Sequence, residues 1–254
     1  MEQTQMSQTL DRALSILSIV AQKPCHINEI AVQLGVHHST ALRLLHTLRK
    51  HGFVFELPDH RYRLGSATFR LGFQALEGID LRSLARPAMQ RLNDITGETV
   101  HLGILEDNDV FYVEKIEAVH PGIRMHSLIG AAAPLHCTGV AKAILAYLAP
   151  ERRQDLLKQH ELHRYTEHTL TSIDEVERDL ALGVERGYVL DAEEHDPGVH
   201  CVAAPIFSGS GEVAGGMSIS VPVSRVDRET LLGFAPALLK ESHEISKLLG
   251  WSKT

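Results

Sequence analysis

The stretch INEIAVQLGVHHSTALRLLHTLRKHGFV, residues 27–54, holds two helical patterns on either side of a turn signal. The apolar spacing predicts a short helix over 29–34, capped by Asn28, and a longer helix from about Ser39 to about His51. The longer pattern places its leucines on one side and polar or cationic side chains on the other. Two helices joined by so tight a turn are typical of a helix-turn-helix.

The flanking sequence extends this motif in both directions. Residues 10–23 show helical spacing that Pro24 ends, and the β-type runs FVFEL and RYRL enclose the turn signal PDH at 58–60. A helix in front and a hairpin behind predict a winged helix-turn-helix over residues 1–65.

A winged helix-turn-helix binds DNA through the outward face of its last helix, since only those side chains reach base edges in the major groove. Wing arginines are expected to contact phosphates or the minor groove. The candidate DNA contacts are Ser39, Thr40, Arg43 and His46 on the helix, and Arg61 and Arg63 in the wing. The alternative is a small helical module that contacts another protein.

Charge is divided unevenly along the chain. The first 65 residues contain seven basic and five acidic side chains, whereas the remainder contains 18 and 27. A slightly cationic end on an acidic body, with a net charge of -7 overall, agrees with a polyanion-binding module attached to a domain of another kind.

Composition limits the class of protein. The 254 residues are 44% hydrophobic and 22% charged, which is typical of one large or two ordinary globular domains. The three cysteines show no C-x-x-C spacing, so neither a disulfide framework nor a zinc ribbon is predicted. No apolar run is long enough for a membrane helix and no secretory signal is evident, so we expect a cytoplasmic protein.

The run 27–54 followed by RYRLG resembles the DNA-binding domain of the IclR family of bacterial transcriptional regulators. The usual family pattern is Pro-Lys-Ser-Thr with an arginine after two further residues, and this chain keeps Ser39, Thr40 and Arg43 but has His37 and His38 in place of Pro and Lys. The resemblance therefore makes His38 a candidate phosphate contact. Our hypothesis is that operator affinity at constant salt rises as pH falls from 8 to 6.

Residues 66–97 read as a connector of two or three helix segments, interrupted by Gly72, Gly78 and Pro87. The resemblance implies that this segment contributes to a homodimer, and that dimers pair into tetramers. From the residues alone, packing of its apolar stripe on the second domain is equally open.

Residues 98–254 predict an α+β domain. Strand-like runs (TVHLGIL, DVFYVEKI, GIRMHSL) precede helices near 138–147, 150–159 and 173–186, and further strands precede a final helix over 228–249. The stretches GAAAPLHCTGVAKAILA, DAEEHDPGVHCVAAPIF and SGSGEVAGGMSISVPVSR resemble the GAF-like effector-binding domain of the same family.

The strand VAGGMSISV predicts a ligand cavity. Its alternate residues Gly216, Ser218 and Ser220 are small, as are Cys201 and Ala203 on the neighbouring strand. Small side chains on adjacent strands leave space for a ligand, or else allow a helix to pack closely on the sheet.

Thr138 and Gly139 open a predicted helix whose free backbone N–H groups favour an anion. The resemblance assigns the ligand carboxylate to Thr138, Gly139 and Val140. It assigns the other polar contacts to Asp191, Cys201, Ser218 and Ser220, and an apolar wall to Met125, Leu128 and Ile129.

The resemblance implies a DNA-binding regulator of a catabolic operon, more in keeping with a repressor than an activator, that senses a small organic carboxylate such as a sugar acid or keto acid. We expect no cofactor, no metal and no enzymatic activity, because no G-x-S-x-G elbow or cysteine-protease signature occurs. Two alternatives stay open: a metal- or redox-sensing regulator that uses Cys201 and nearby histidines, and a GAF-like enzyme.

Overall fold

The computed structural model describes residues 7–77, 80–119 and 127–252. The chain forms two compact units, residues 1–78 and 79–254. The domain limits predicted at residues 65 and 97 stay predictions, but the second half of the predicted connector belongs to the second unit.

The first unit is a winged helix-turn-helix, as predicted. Its core contains Ile16, Ile30 and Leu45, one from each of the first three helices, and all three side chains are buried. The strands form an antiparallel sheet in the order β1-β3-β2. The elements are α1 (Gln8–Gln22), β1 (Cys25–His26), α2 (Ile27–Gln33), α3 (His38–Lys50), β2 (Val54–Glu56), β3 (Arg61–Leu64) and α4 (Ser66–Glu77).

The predicted cap of the second helix is wrong, and histidines precede both α2 and α3. The residue before α2 is His26 rather than Asn28, and the Glu29 carboxylate accepts a hydrogen bond from the backbone N–H of His26 at 2.7 Å. The residue before α3 is His37, whose Nδ1 atom accepts from the backbone N–H of Ser39 at 3.4 Å. Here an imidazole nitrogen takes the acceptor role that Ser, Thr, Asp or Asn usually fills.

The second unit is built on an antiparallel sheet, which within the described residues has six strands in the order β6-β5-β4-β9-β8-β7. Its elements are α5 (Asp80–Thr96), β4 (Thr99–Glu106), β5 (Asp109–Ile116), β6 (Ala132–Ala133), α6 (Gly139–Leu145), α7 (Pro150–Gln159), α8 (Ile173–Arg186), β7 (Val189–Ala192), β8 (Val199–Phe207), β9 (Val213–Pro222) and α9 (Arg228–Leu248). This confirms the predicted α+β class.

The two faces of the sheet are covered by different helices. A side chain added at Gly216 would collide with the Val140 carbonyl of α6, whereas one added at Gly215 would collide with Leu81 of α5. Because successive strand residues point to opposite faces, α6 covers the face of small residues and α5 the other. Close helix packing therefore explains Gly216.

α5 is tied to α9 by an ion pair in which the Arg91 guanidinium donates to the Glu241 carboxylate. Packing on the second domain is thus what the structure shows for this half of the connector. Most of the predicted strand GIRMHSL, residues 122–126, lies outside the described residues, and its last two residues, Ser127 and Leu128, are not in a strand. The short strand β6 pairs with β5.

Candidate functional site

The outward face of α3 carries the predicted DNA-contacting side chains. His38, Ser39, Arg43 and His46 are exposed, and Thr40 is half-buried. Arg43 forms no ion pair with any residue that the structure describes. Its guanidinium is therefore available to a guanine edge or a phosphate.

The wing arginines both have partners within the wing. The Arg61 Nη2 atom lies 2.6 Å from the Asp59 carboxylate, and this hydrogen bond lowers the pKa of Asp59. The Arg63 guanidinium lies 4.7 Å from the centre of the Phe55 ring. Before either arginine contacts DNA, its present interaction must be exchanged for the new one.

A cavity of about 190 Å³ lies between the small-residue face of the sheet, the start of α6 and the loops that follow β5 and β7. A cavity of about 150 Å³ can hold a benzene ring, so this one accommodates a single-ring or short-chain molecule. Its lining residues are His101, Tyr112, Ser127, Ala131, Ala132, Pro134, Thr138, Gly139, Asp191, His195, Asp196, Val199, Cys201, Ser218 and Ser220.

A chain of hydrogen bonds crosses the cavity wall. The Cys201 thiol donates to Ser220 Oγ at 3.1 Å, and Ser220 Oγ lies 3.2 Å from His101 Nδ1. The other ring nitrogen of His101, Nε2, lies 2.7 Å from Ser127 Oγ. If Ser220 donates to Nδ1, the imidazole carries its proton on Nε2 and donates to Ser127, which leaves the Ser127 hydroxyl proton for another acceptor.

His101 is a neutral member of this chain. Burial and, to a smaller extent, the nearby Lys115 cation lower its pKa to about 3. The ring also packs against Tyr112, with 5.3 Å between ring centres. Around His101 the cavity wall therefore presents hydrogen-bonding dipoles to a ligand and no cation.

A buried charge cluster lies next to the cavity. The Lys142 Nζ atom lies 2.6 Å from the Glu194 carboxylate and 2.8 Å from that of Asp179, and Lys142 is fully buried. Burial opposes its charge, but the two carboxylates hold the pKa of Lys142 above its ordinary value. One ammonium thus neutralises only part of the surrounding negative charge.

Asp191 faces the cavity from β7 and accepts a hydrogen bond from the backbone N–H of Glu194 at 2.8 Å. Burial raises the pKa of Asp191 to about 6, although Lys142 and two hydrogen bonds act in the opposite direction. Near pH 6 this carboxyl group can therefore gain a proton and become a donor.

The first turn of α6 supplies the positive potential of the cavity. Thr138 precedes the helix, and its hydroxyl donates to the Pro134 carbonyl at 2.8 Å instead of capping the helix. Among the described residues, nothing accepts a hydrogen bond from the backbone N–H groups of residues 139–141. These groups can donate hydrogen bonds to an anionic group of a ligand.

Both units match known families. Residues 9–58 match the IclR helix-turn-helix domain, and residues 73–247 match the bacterial transcriptional regulator IclR C-terminal domain. The chain belongs to the IclR family. As a member, it is a ligand-responsive transcriptional regulator that binds operator DNA, and not an enzyme.

Full-length relatives support this membership. The IclR-family chain is 34% identical to the regulator XynR of Escherichia coli, over 96% of this chain and 98% of XynR. It is 33% identical to the transcriptional repressor IclR of E. coli, over 96% of this chain and 90% of that protein. The crystal structure of Thermotoga maritima IclR matches with a TM-score of 0.79 at 31% identity, over 96% of this chain and 99% of that one.

Six of the predicted effector contacts of this IclR-family chain lie on the cavity, namely Thr138, Gly139, Asp191, Cys201, Ser218 and Ser220. The Val140 side chain packs in the apolar cluster beside α6, so only its backbone N–H is left for the predicted contact. Leu128 and Ile129 are 69% and 44% exposed, since they lie in a tight turn that Gly130 completes. Met125 lies outside the described residues.

Sequence reasoning missed His101 and Tyr112 on the cavity wall, and also Ser127, His195 and Asp196. The strands β4 and β5 were predicted, but nothing in them shows which side chains meet Ser220. A histidine inside an otherwise apolar strand was the one available signal.

Neither a metal site nor a reactive thiolate is favoured by the described residues around Cys201. Within the described ranges, no group of three or more His, Cys, Asp or Glu is placed to hold a metal ion. Burial raises the pKa of the Cys201 thiol well above its ordinary value, which disfavours a thiolate. In the same part of the chain, no helix has the length and apolar character to cross a bilayer.

Proposed function

We propose that this chain represses a catabolic operon and releases its operator when a small hydroxy- or keto-carboxylate fills the cavity. Three curated relatives carry the word repressor in their names: IclR of E. coli, the acetate operon repressor of Salmonella typhimurium and AllR of E. coli. Control of this kind requires the ligand to bind one arrangement of the regulator more tightly than the other.

The single observation that carries the ligand class is the polarity of the cavity. Backbone N–H groups at the start of α6 favour a carboxylate at that end. Hydroxyl groups of Ser127 and Ser218, together with Asp191, lie on other parts of the lining and suit hydroxyl or carbonyl oxygens of the ligand. Because no Lys or Arg lines the cavity within the described residues, a ligand with several anionic groups is disfavoured.

We further propose that the regulator binds a palindromic operator as a homodimer, with dimers pairing into tetramers. The first unit exposes apolar side chains on two helices: Leu10 and Leu14 on α1, and Phe69 and Leu71 on α4. Contact with a second copy would remove this surface from water. Two DNA-binding units on a two-fold site also bind more tightly and specifically than one.

A screen of carboxylates by thermal shift tests the ligand class. A hydroxy- or keto-acid at a hundredfold excess over its dissociation constant should stabilise the protein by about 2.7 kcal/mol. The same acid should then weaken protection of the promoter upstream of the regulated genes in a footprint. Stabilisation only by apolar or cationic compounds would contradict the proposal, and stronger protection with the acid would contradict repression.

A further inference from the structure

Leu42 is an apolar residue on the polar face of α3. The other apolar residues of this helix, Ala41, Leu44, Leu45 and Leu48, are buried against the core, whereas Leu42 is 49% exposed. It lies three residues after Ser39 and four before His46, so these side chains flank it along the helix surface. Arg43 is its exposed neighbour in sequence.

An exposed leucine on a protein surface ordinarily needs no explanation. Leu42 differs because it lies in the centre of the face that contains the candidate base-contacting residues. When that face enters a major groove, the leucine loses water on every side. The exposed cations Arg43 and Lys50 lie seven residues apart along one side of the same helix and suit phosphates that border such a groove.

The edges of the bases offer one prominent apolar group in the major groove, the C5-methyl group of thymine. We propose that Leu42 contacts thymine methyl groups in each operator half-site and so determines part of the sequence specificity. The proposal rests on the assignment of α3 as the DNA-reading helix. It adds a purely apolar side chain to the polar and cationic ones already assigned to this face.

Replacement of thymine by deoxyuridine tests this contact, because it removes the methyl group and keeps base pairing. Duplexes that the full chain binds specifically are first selected from a random library. Each thymine is then replaced singly, and affinity is measured at constant salt. We expect at least one position per half-site where loss of the methyl group weakens binding about four-fold.

Shortening the Leu42 side chain must remove that sensitivity, and a side chain of similar size must keep it. Leu42→Ala should weaken binding to the thymine duplex, and deoxyuridine at the sensitive positions should then cause no further loss of affinity. Leu42→Met should keep the loss of affinity that deoxyuridine causes. Leu182→Ala is the matched control, since Leu182 is 53% exposed on α8 of the other unit, and it should leave the pattern unchanged.

Two results would overturn the proposal: specific binding by the wild-type chain that no deoxyuridine weakens, or identical deoxyuridine penalties in wild type and Leu42→Ala. The first needs no variant, so a folding defect in Leu42→Ala does not obscure it. Failure of the wild-type chain to bind any duplex specifically would instead contradict DNA binding itself.

Discussion

The Nζ atom of Lys142 lies 2.6 Å from Oε1 of Glu194, in a region where the lysine is inaccessible to water. Lys142 is on α6 and Glu194 follows β7, so this ion pair joins the helix whose start faces the cavity to the loop that lines it. Asp179 adds a second carboxylate from α8 at 2.8 Å.

Lys142→Met should lower the free energy of unfolding by about 3–5 kcal/mol, because it leaves two carboxylates near each other without a cation. Urea denaturation followed by the fluorescence of Trp251 measures this, since the single tryptophan belongs to the second unit. In the control Lys247→Met, which breaks an exposed pair with Glu244, the change should stay within about 0.5 kcal/mol. Equal losses in both variants would contradict a special role for the buried pair.

Ser220→Ala should weaken binding of a stabilising carboxylate by about tenfold. The substitution removes the Ser220 hydroxyl as an acceptor for the Cys201 thiol and as the partner of His101 Nδ1, which disturbs the hydrogen-bonded wall. Calorimetric titration gives the dissociation constants. The exposed Ser224→Ala is the matched control, and an unchanged dissociation constant in Ser220→Ala would show that this wall does not contact the ligand.

Carboxylate affinity should rise as the pH falls from 7.5 to 5.5. The raised pKa of Asp191, about 6, means that the group is ionised and repels an anion at the upper limit, but is protonated at the lower one. If the anion binds only the protonated form, the gain approaches about 25-fold. Asp191→Asn should flatten the profile, whereas the exposed Asp174→Asn should not. If carboxylate affinity instead falls as the pH is lowered from 7.5 to 5.5, ionised Asp191 does not repel the ligand and the prediction is wrong.

Arg43→Ala should reduce specific DNA binding by about 1–3 kcal/mol, because its guanidinium is free to contact a base edge or phosphate. Arg61→Ala should weaken DNA binding less, because Asp59 already binds that guanidinium. Any contact of Arg61 with DNA must replace this ion pair. Fluorescence anisotropy at one salt concentration compares the two. A larger loss for Arg61→Ala would place the main contact in the wing.

Local signals predicted several elements residue by residue. α7 begins at Pro150, as a proline in the first turn indicates, and α8 is fixed by Ser172 before it and by the left-handed Gly187 after it. The caps before α2 and α3 escaped prediction because histidine is not among the usual capping residues.

Part of the cavity wall also followed from local pattern. Alternation placed Ser218 and Ser220 on one face of β9, and the structure shows that face over the cavity. His101 is 119 residues from Ser220, and the register of β4 on β9 brings the two together. A shift in the pairing of β4 with β5 after Leu102 further changes which side chains face the cavity, and no local rule predicts it.

The glycine at the start of α6 limits how this regulator can be re-engineered. A side chain at Gly139 would bring its Cβ atom to 3.1 Å from that of Cys201 and 3.3 Å from that of Ala203. The part of the cavity wall that α6 forms therefore has almost no side chain that can be substituted. Biosensor variants with a new analyte preference are best obtained by library mutagenesis of the opposite, strand-borne positions, with the helix left as it is.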